Sequence, residues 1–253
     1  MMLKFSIITA CYNSAETIED TIKSVISQDY NNIEYIIVDG KSSDTTLQII
    51  ANYKDSITKI FSEKDEGIYF ALNKGIVAAT GDVIAILHAD DFYIDTQVIS
   101  TLVHLFETEK VDTIYGDLQY VDRQDTSKVL RNWKSGKYQK HLFLKGWMPP
   151  HPAFFVKNTC YKQFGVFNTS LNSSADYELM LRLLYKHNCS TYYLPKVLVK
   201  MRVGGKSNVT IMNRIKANRE DKKAWLLNDL KPELFTLILK PLSKLKQFFS
   251  KEE

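Results

Sequence analysis

The sequence predicts an α/β fold with a mainly parallel central sheet flanked by helices, a mixed C-terminal half and an amphipathic helical tail. Three observations predict it. Short β-branched apolar runs alternate with helical-period segments four times in about the first ninety residues, which requires crossover connections and hence parallel neighbours. Polar residues of catalytic type recur just past the ends of those runs, where open α/β sheets place their ligands. Hydrophobic residues make up 45% and charged residues 25% of 253 residues, which suits a globular core rather than a disordered or fibrous chain.

The elements follow in order. Leu3 to Ala10 is apolar and β-branched and reads as a first strand. Ser14 stands where a helix cap is expected, ahead of Ile18, Ile22, Val25 and Ile26 at helical spacing. Ile33 to Val38 is a second buried strand ending at Asp39-Gly40, and Lys41-Ser42-Ser43-Asp44 supplies a turn and cap for a helix through Ile50 and Tyr53. Ile57 to Ser62 gives a third strand. Ile68, Ala71, Leu72, Gly75, Ile76 and Ala79 mark one helix face, and Val83 to Leu87 gives a fourth strand.

Beyond Asp91 the alternation loosens into a helix around Val98 to Glu107, a strand at Thr113 to Tyr115, and extended pieces at Leu118 to Val121 and Val129 to Trp133. Gly146-Trp-Met-Pro-Pro-His-Pro152 is a shaped loop, because proline removes backbone donors and fixes φ. Ser173 or Ser174 caps a helix from Ala175 to about Lys186, and strands follow near Thr191 to Tyr193 and Val197 to Arg202. The expected division is a catalytic domain over 1–228, with a donor-binding half 1–115 and an acceptor-binding half 116–228, and a helical tail over 229–253.

A net charge of +4, with lysines crowded toward the C-terminus, speaks against nucleic-acid binding. Cys11, Cys160 and Cys189 are odd in number and form no Cys-x-x-Cys pair, so neither a disulfide framework nor a zinc site is expected. No uninterrupted apolar stretch reaches the ~18 residues of a membrane span. A cytoplasmic location is expected, with the tail allowing contact at the inner face of the membrane. In that tail Leu234, Ile238, Leu242, Leu245 and Phe249 form one stripe, with Lys240, Lys244 and Lys251 elsewhere. Such a stripe suits an anionic membrane surface, and equally suits packing on the domain.

Asp90 and Asp91 follow the fourth strand directly. Adjacent carboxylates there suit a hard cation, since Mg²⁺ or Mn²⁺ prefers oxygen ligands and uses one or two protein carboxylates beside substrate phosphates. The same pair suits a helix cap, and spacing alone leaves both readings open.

Context comes from Phe5-Ser-Ile-Ile-Thr-Ala-Cys-Tyr-Asn13, Tyr35-Ile-Ile-Val-Asp-Gly-Lys-Ser-Ser-Asp-Thr45, Glu63-Lys-Asp-Glu-Gly-Ile-Tyr69, Ala71-Leu-Asn-Lys-Gly75, Thr80-Gly-Asp82 and His88-Ala-Asp-Asp91. In this order and spacing they resemble glycosyltransferase family 2, and within it transferases that build bacterial exopolysaccharide and O-antigen repeats, including colanic acid enzymes. The resemblance implies a GT-A fold and inverting transfer from a UDP- or GDP-sugar to a saccharide or lipid-linked saccharide acceptor, with Mn²⁺ or Mg²⁺ as cofactor.

Residue by residue, it implies that Asp39 bonds the nucleotide base, that Thr9, Cys11 and Asn13 lie on the loop around base and ribose, and that Asp65 is a second acid near the base. It implies that Asp90 contacts ribose or donor sugar and that Asp91 ligates the metal. His88 stands where relatives often carry a small polar residue and receives no role.

Many relatives present the catalytic base as Glu-Asp; the matching segment here is Ser174-Ala-Asp-Tyr-Glu-Leu179, which makes Asp176 the base and Glu178 its local competitor. A carboxylate at a helix N-terminus can accept a hydroxyl proton once the site closes. His151 and Trp147 lie where relatives build the acceptor and sugar pocket, with a structural histidine and a packing anchor as the alternatives. Arg202 and Lys206, in Arg202-Val-Gly-Gly-Lys-Ser207, resemble a flexible segment that folds over the diphosphate, or else form a basic turn.

Two rivals remain. A sugar nucleotidyltransferase would want a Gly-rich, lysine-bearing phosphate loop after the first strand, and Thr9-Ala-Cys-Tyr-Asn-Ser14 lacks it. A non-catalytic scaffold in an assembly complex need not keep Asp39, Asp91 and Asp176 together.

Overall fold

The computed structural model describes residues 2–204 and 211–232. Strands β1 (Phe5–Cys11), β2 (Ile33–Asp39), β3 (Lys59–Ser62) and β4 (Val83–Ile86) alternate with helices α1 (Ile18–Ile26), α2 (Thr46–Ala51) and α3 (Ile68–Ala78). All pairings within this quartet are parallel, in the order β3-β2-β1-β4. The mainly parallel first half expected from the alternation is therefore present. β1 is buried along its whole length and all but the first residue of β2 is buried, because helices cover both faces.

The second half is mixed. After β5 (Asp91–Tyr93) and α4 (Val98–Glu109) come β6 (Thr113–Val121), β7 (Val129–Trp133), β8 (Phe154–Lys157), α5 (Asn158–Phe164), α6 (Ala175–Met180), β9 (Thr191–Arg202) and α7 (Ile211–Leu227). The sheet continues β4-β8-β6-β9-β5, with β7 paired to β6. β8 is antiparallel to both β4 and β6, β9 is parallel to β6, and β5 is antiparallel to β9. Among the described residues no helix is long and apolar enough to cross a membrane.

Several expectations need correction. Thr113 to Val121 is one strand, not two, and so is Thr191 to Arg202; the ladder between them shifts register around Asp117, near Pro195. Gly116 permits this approach, since a Cβ there would lie 2.4 Å from Leu198. Strands β5 and β8 and helices α5 and α7 were not legible, being short or lacking clear periodicity. α1 begins at Ile18 with Thr17 rather than Ser14 as its N-cap. Ser174 is the N-cap of α6, but its side chain makes no cap bond. Instead the Glu220 carboxylate from α7 accepts the amides of Asn172, Ser173 and Ser174 at 2.8–3.2 Å.

The Thr80-Gly-Asp82 motif is a structural hub. Buried Glu34 accepts the Ser6 hydroxyl (2.6 Å), the Thr80 amide (2.7 Å) and Lys59 Nζ (2.9 Å), while the Gly81 amide donates to Ser6 Oγ (2.8 Å). A Cβ on Gly81 would sit 2.6 Å from that oxygen. Burial pushes the Glu34 carboxyl up, but these bonds outweigh it and bring it from 4.5 down to about 2. The carboxylate therefore contributes stability above pH 4.5 that disappears as pH falls toward 2. Glu34→Gln is expected to lower the melting temperature at pH 7 by about 5 °C and to flatten the acid limb. Melts from pH 7 to pH 3 with parallel pH dependence in the two proteins would contradict this.

Candidate active site

At the carboxyl ends of β1 and β2 two loops are tied together. Gly40 N donates to the Cys11 carbonyl (2.9 Å), Asn13 N to Ser42 Oγ (2.9 Å) and Ser43 N to Asn13 Oδ1 (2.9 Å). Asn13 and Lys41 take positive φ of 49° and 63°, a conformation that side chains other than glycine rarely adopt and that recurs at functional sites.

Asp39 sits beneath these loops, fully buried, accepting the Ser42 amide (3.1 Å) and Ser62 Oγ (2.7 Å), with Cys11 Sγ at 3.7 Å. Burial and Asp39 both push the Cys11 thiol up, so it stays protonated. Thr9 and Cys11 are not on the loop; both are buried in β1, and the Thr9 hydroxyl meets Tyr35 Oη at 3.2 Å. Their apolar neighbours in the strand draw them inward, which leaves Asn13 as the loop residue.

Past β4, the backbone of 88–91 is held from behind. Thr21 Oγ1 donates to the Asp91 carbonyl (2.8 Å) and Arg202 Nη1 to the Asp90 carbonyl (3.1 Å). Asp90 is half-buried and Asp91 fully buried, with neither Asp91 carboxylate oxygen finding a hydrogen-bond partner among the described residues. Burial, then the neighbouring Asp90, push the Asp91 carboxyl well above the usual carboxylate range; Arg202 opposes this. His88 is half-buried, its buried Nδ1 without a partner among the described residues, and desolvation followed by His151 brings it down to about 4, so the ring is neutral near pH 7.

The ring centroids of His88 and His151 are 5.3 Å apart, edge to face. His151 Nδ1 lies 3.3 Å from Asp176 Oδ2, and Tyr69 Oη lies 3.4 Å from Asp176 Oδ1. Asp176 is partly exposed, at 21%. His151 opens a short 3₁₀ turn between Pro150 and β8, as the proline-rich segment required. His88, two residues before Asp90, meets His151, and His151 meets Asp176, so a chain of contacts links the segment of the acid pair to Asp176.

Glu178, the competitor of Asp176, points elsewhere. It is 2% exposed and grips Arg182 through Nε and Nη2 (3.0 Å each), and it also accepts Asn228 Nδ2 (2.9 Å).

The remaining expected residues scatter. Asp65 Oδ1 pairs with Lys74 at 2.8 Å, and its Oδ2 is buried without a partner among the described residues. Trp147 donates to the Ser135 carbonyl (2.8 Å) and is packed by Tyr115, Tyr138 and Phe143 at 5.6–5.8 Å, the arrangement of a packing anchor. Arg202 belongs to β9 rather than to a flexible segment; it is buried and bonded to Asp20 behind the acid pair. Lys206 lies outside the described residues, as does the tail from 233 onward. Sequence reasoning missed Ser42, Ser62, Tyr69 and Thr21. Tyr69 and Ser42 stood in quoted motifs, but only the folded loops show what they touch.

The profile described as Glycosyl transferase family 2 matches residues 6–162. A UDP-Glc:alpha-D-GlcNAc-diphosphoundecaprenol beta-1,3-glucosyltransferase of Escherichia coli is 42% identical over 119 residues, 47% of each chain. An uncharacterized glycosyltransferase of Rickettsia typhi is 30% identical over 78% of this chain and 63% of its own length. The chain thus spans between about half and two thirds of these two relatives.

Among solved structures, S. aureus TarS 1-349 in complex with UDP-GlcNAc is similar with a TM-score of 0.70 at 18% identity, covering 98% of this chain and 73% of that one. The mannosyltransferase PcManGT from Pyrobaculum calidifontis, in complex with GDP-Man and Mn2+, gives a TM-score of 0.63 at 17% identity, covering all of this chain and 77% of that one. The shared architecture is the GT-A fold. The chain belongs to glycosyltransferase family 2.

Proposed function

We propose that this chain transfers a sugar, with inversion, from a nucleotide-diphosphate sugar to a hydroxyl of a saccharide carried on a lipid diphosphate. The observation that carries the proposal is Asp176, held between His151 and Tyr69 and linked through the His151–His88 contact to the segment of the acid pair. The Escherichia coli relative acts on UDP-Glc and a diphosphoundecaprenol-linked sugar, which supports a UDP-sugar donor and a lipid-linked acceptor. In this reading residues 1–115 hold the donor and 116–228 the acceptor, with Asn13 and Asp39 near the base.

The donor set fits a hard divalent cation: Asp91 offers two buried oxygens with no partner among the described residues, and Asp90 adjoins it. Asp91, beside Asp90, would hold Mn²⁺ or Mg²⁺, which when bound supplies positive charge for the departing diphosphate. Asp176 takes the proton of the acceptor hydroxyl as that oxygen bonds the anomeric carbon and the bond from carbon to diphosphate oxygen breaks. His151, 3.3 Å from Asp176, orients the carboxylate.

A thermal-shift panel of UDP-, GDP- and dTDP-sugars, with and without Mn²⁺, tests the donor side. Stabilisation by one nucleotide class, dependent on Mn²⁺, is expected. No shift with any donor in the presence of Mn²⁺ would overturn the proposal.

A further inference from the structure

The Gly-Ile-Tyr and Asn-Lys-Gly fragments lie on α3, whose residues Ala71, Leu72, Gly75 and Ile76 are buried. Gly75 meets the sheet so closely that a Cβ would lie 2.4 Å from Ile8 Cγ2, which fixes the face α3 turns inward. Tyr69 and Asn73, four residues apart, share another face. They meet the segment leading from α5 to α6. Asn73 Nδ2 donates to the Phe167 carbonyl (2.8 Å) and Asn73 Oδ1 accepts the Phe167 amide (2.9 Å). The Tyr69 ring stacks on Phe167 with centroids 5.5 Å apart.

The Tyr69 hydroxyl then reaches the start of α6, where it lies 3.4 Å from Asp176 Oδ1. Burial, and then Asp176, push the phenol far above its ordinary value, so it keeps its proton and serves the carboxylate as a donor. From the opposite side Glu220 holds Asn172, Ser173 and Ser174. α3 and α7 thus fix the backbone on which Asp176 stands.

We propose that Tyr69 is a positioning residue for Asp176: its O–H faces Oδ1 while His151 faces Oδ2, fixing the plane of the carboxylate and the direction of its remaining lone pairs. The kinetic consequence rests on Asp176 being the proton acceptor, as proposed above; the orientation itself does not.

Tyr69→Phe removes one oxygen and keeps the stack on Phe167, so the melting temperature should change little, whereas Asn73→Ala should lower it. Two readouts separate positioning from mere bracing. The first is the His151 imidazole titration, followed by NMR of histidine-labelled protein. His88, whose ring meets that of His151 edge to face, and Asp90 beyond it are among its titratable neighbours. Without the phenol donor Asp176 leans on His151 alone, and the His151 midpoint should rise by about half a pH unit.

The second readout is turnover of UDP-glucose with Mn²⁺, detected as released UDP: kcat should fall about tenfold with KM for the donor unchanged. A His151 midpoint unmoved by Tyr69→Phe would overturn the proposal. If wild-type protein turns over none of the UDP-, GDP- or dTDP-sugars, the functional reading fails, while the His151 titration still decides whether Tyr69 holds Asp176.

Discussion

Asp176→Asn is expected to lower kcat for sugar transfer by about 10²–10⁴-fold, the range lost when a positioned general base is removed. Donor binding should persist, because the groups proposed to hold the nucleotide are at the ends of β1 and β2, on other elements. The amide keeps the shape and both flanking contacts but cannot accept the hydroxyl proton. The expectation is specific to Asp176, because Glu178, two residues on, is buried in an ion pair with Arg182 and bonded to Asn228. Steady-state kinetics together with calorimetric titration of the donor checks it. Undiminished transfer by Asp176→Asn, with donor bound normally, would move the base elsewhere.

Asp91→Asn is expected to act in opposite directions on stability and on activity. The carboxyl is buried, both oxygens lack partners among the described residues, and its acidity is weakened by burial and by Asp90. A folded-state pKa above the ordinary value means that the ionised form costs stability at neutral pH, a cost that vanishes when the group is protonated. Replacing it by an amide should raise the melting temperature of the metal-free protein by about 2–4 °C. The same change should abolish stabilisation by Mn²⁺ and reduce transfer by about a hundredfold or more. Melts of both proteins, with and without Mn²⁺, test this. A variant that is less stable and still stabilised by Mn²⁺ would contradict it.

What could be read from the chain, and what could not, follows from the range of the interactions. Strands β1 to β4 announce themselves because buried parallel strands are continuous β-branched runs, and their helices carry local periodicity. Asp39, Asp90, Asp91 and Asp176 stand out as acids at element ends, a local signal. His151 stands out through its prolines, though its contact with Asp176 joins the 3₁₀ turn before β8 to the first turn of α6.

β5 and β8 escaped notice because three or four residues hold too little pattern, and their pairing is decided by β9 and β4. Thr9, Cys11 and Arg202 were misplaced for a related reason: a residue's type signals chemistry, but its burial depends on which strand face it occupies. Arg202 shows this plainly. In sequence it is a cation beside glycines; in the fold its guanidinium braces the backbone of Asp90 and pairs with Asp20. Glu220, which caps the start of α6 from α7, could not be read at all, because nothing local links it to Ser174.

The central claim is a single displacement at the anomeric carbon, and the configuration of the product tests it most directly. With UDP-α-glucose as donor and an α-GlcNAc-diphospholipid as acceptor, proton NMR of the purified product reports the new linkage. Direct attack by a hydroxyl deprotonated by Asp176 predicts a β-glucosidic bond and no glucosylated protein. An α-linked product, or a glucosyl adduct on the chain detected by mass spectrometry, would contradict it.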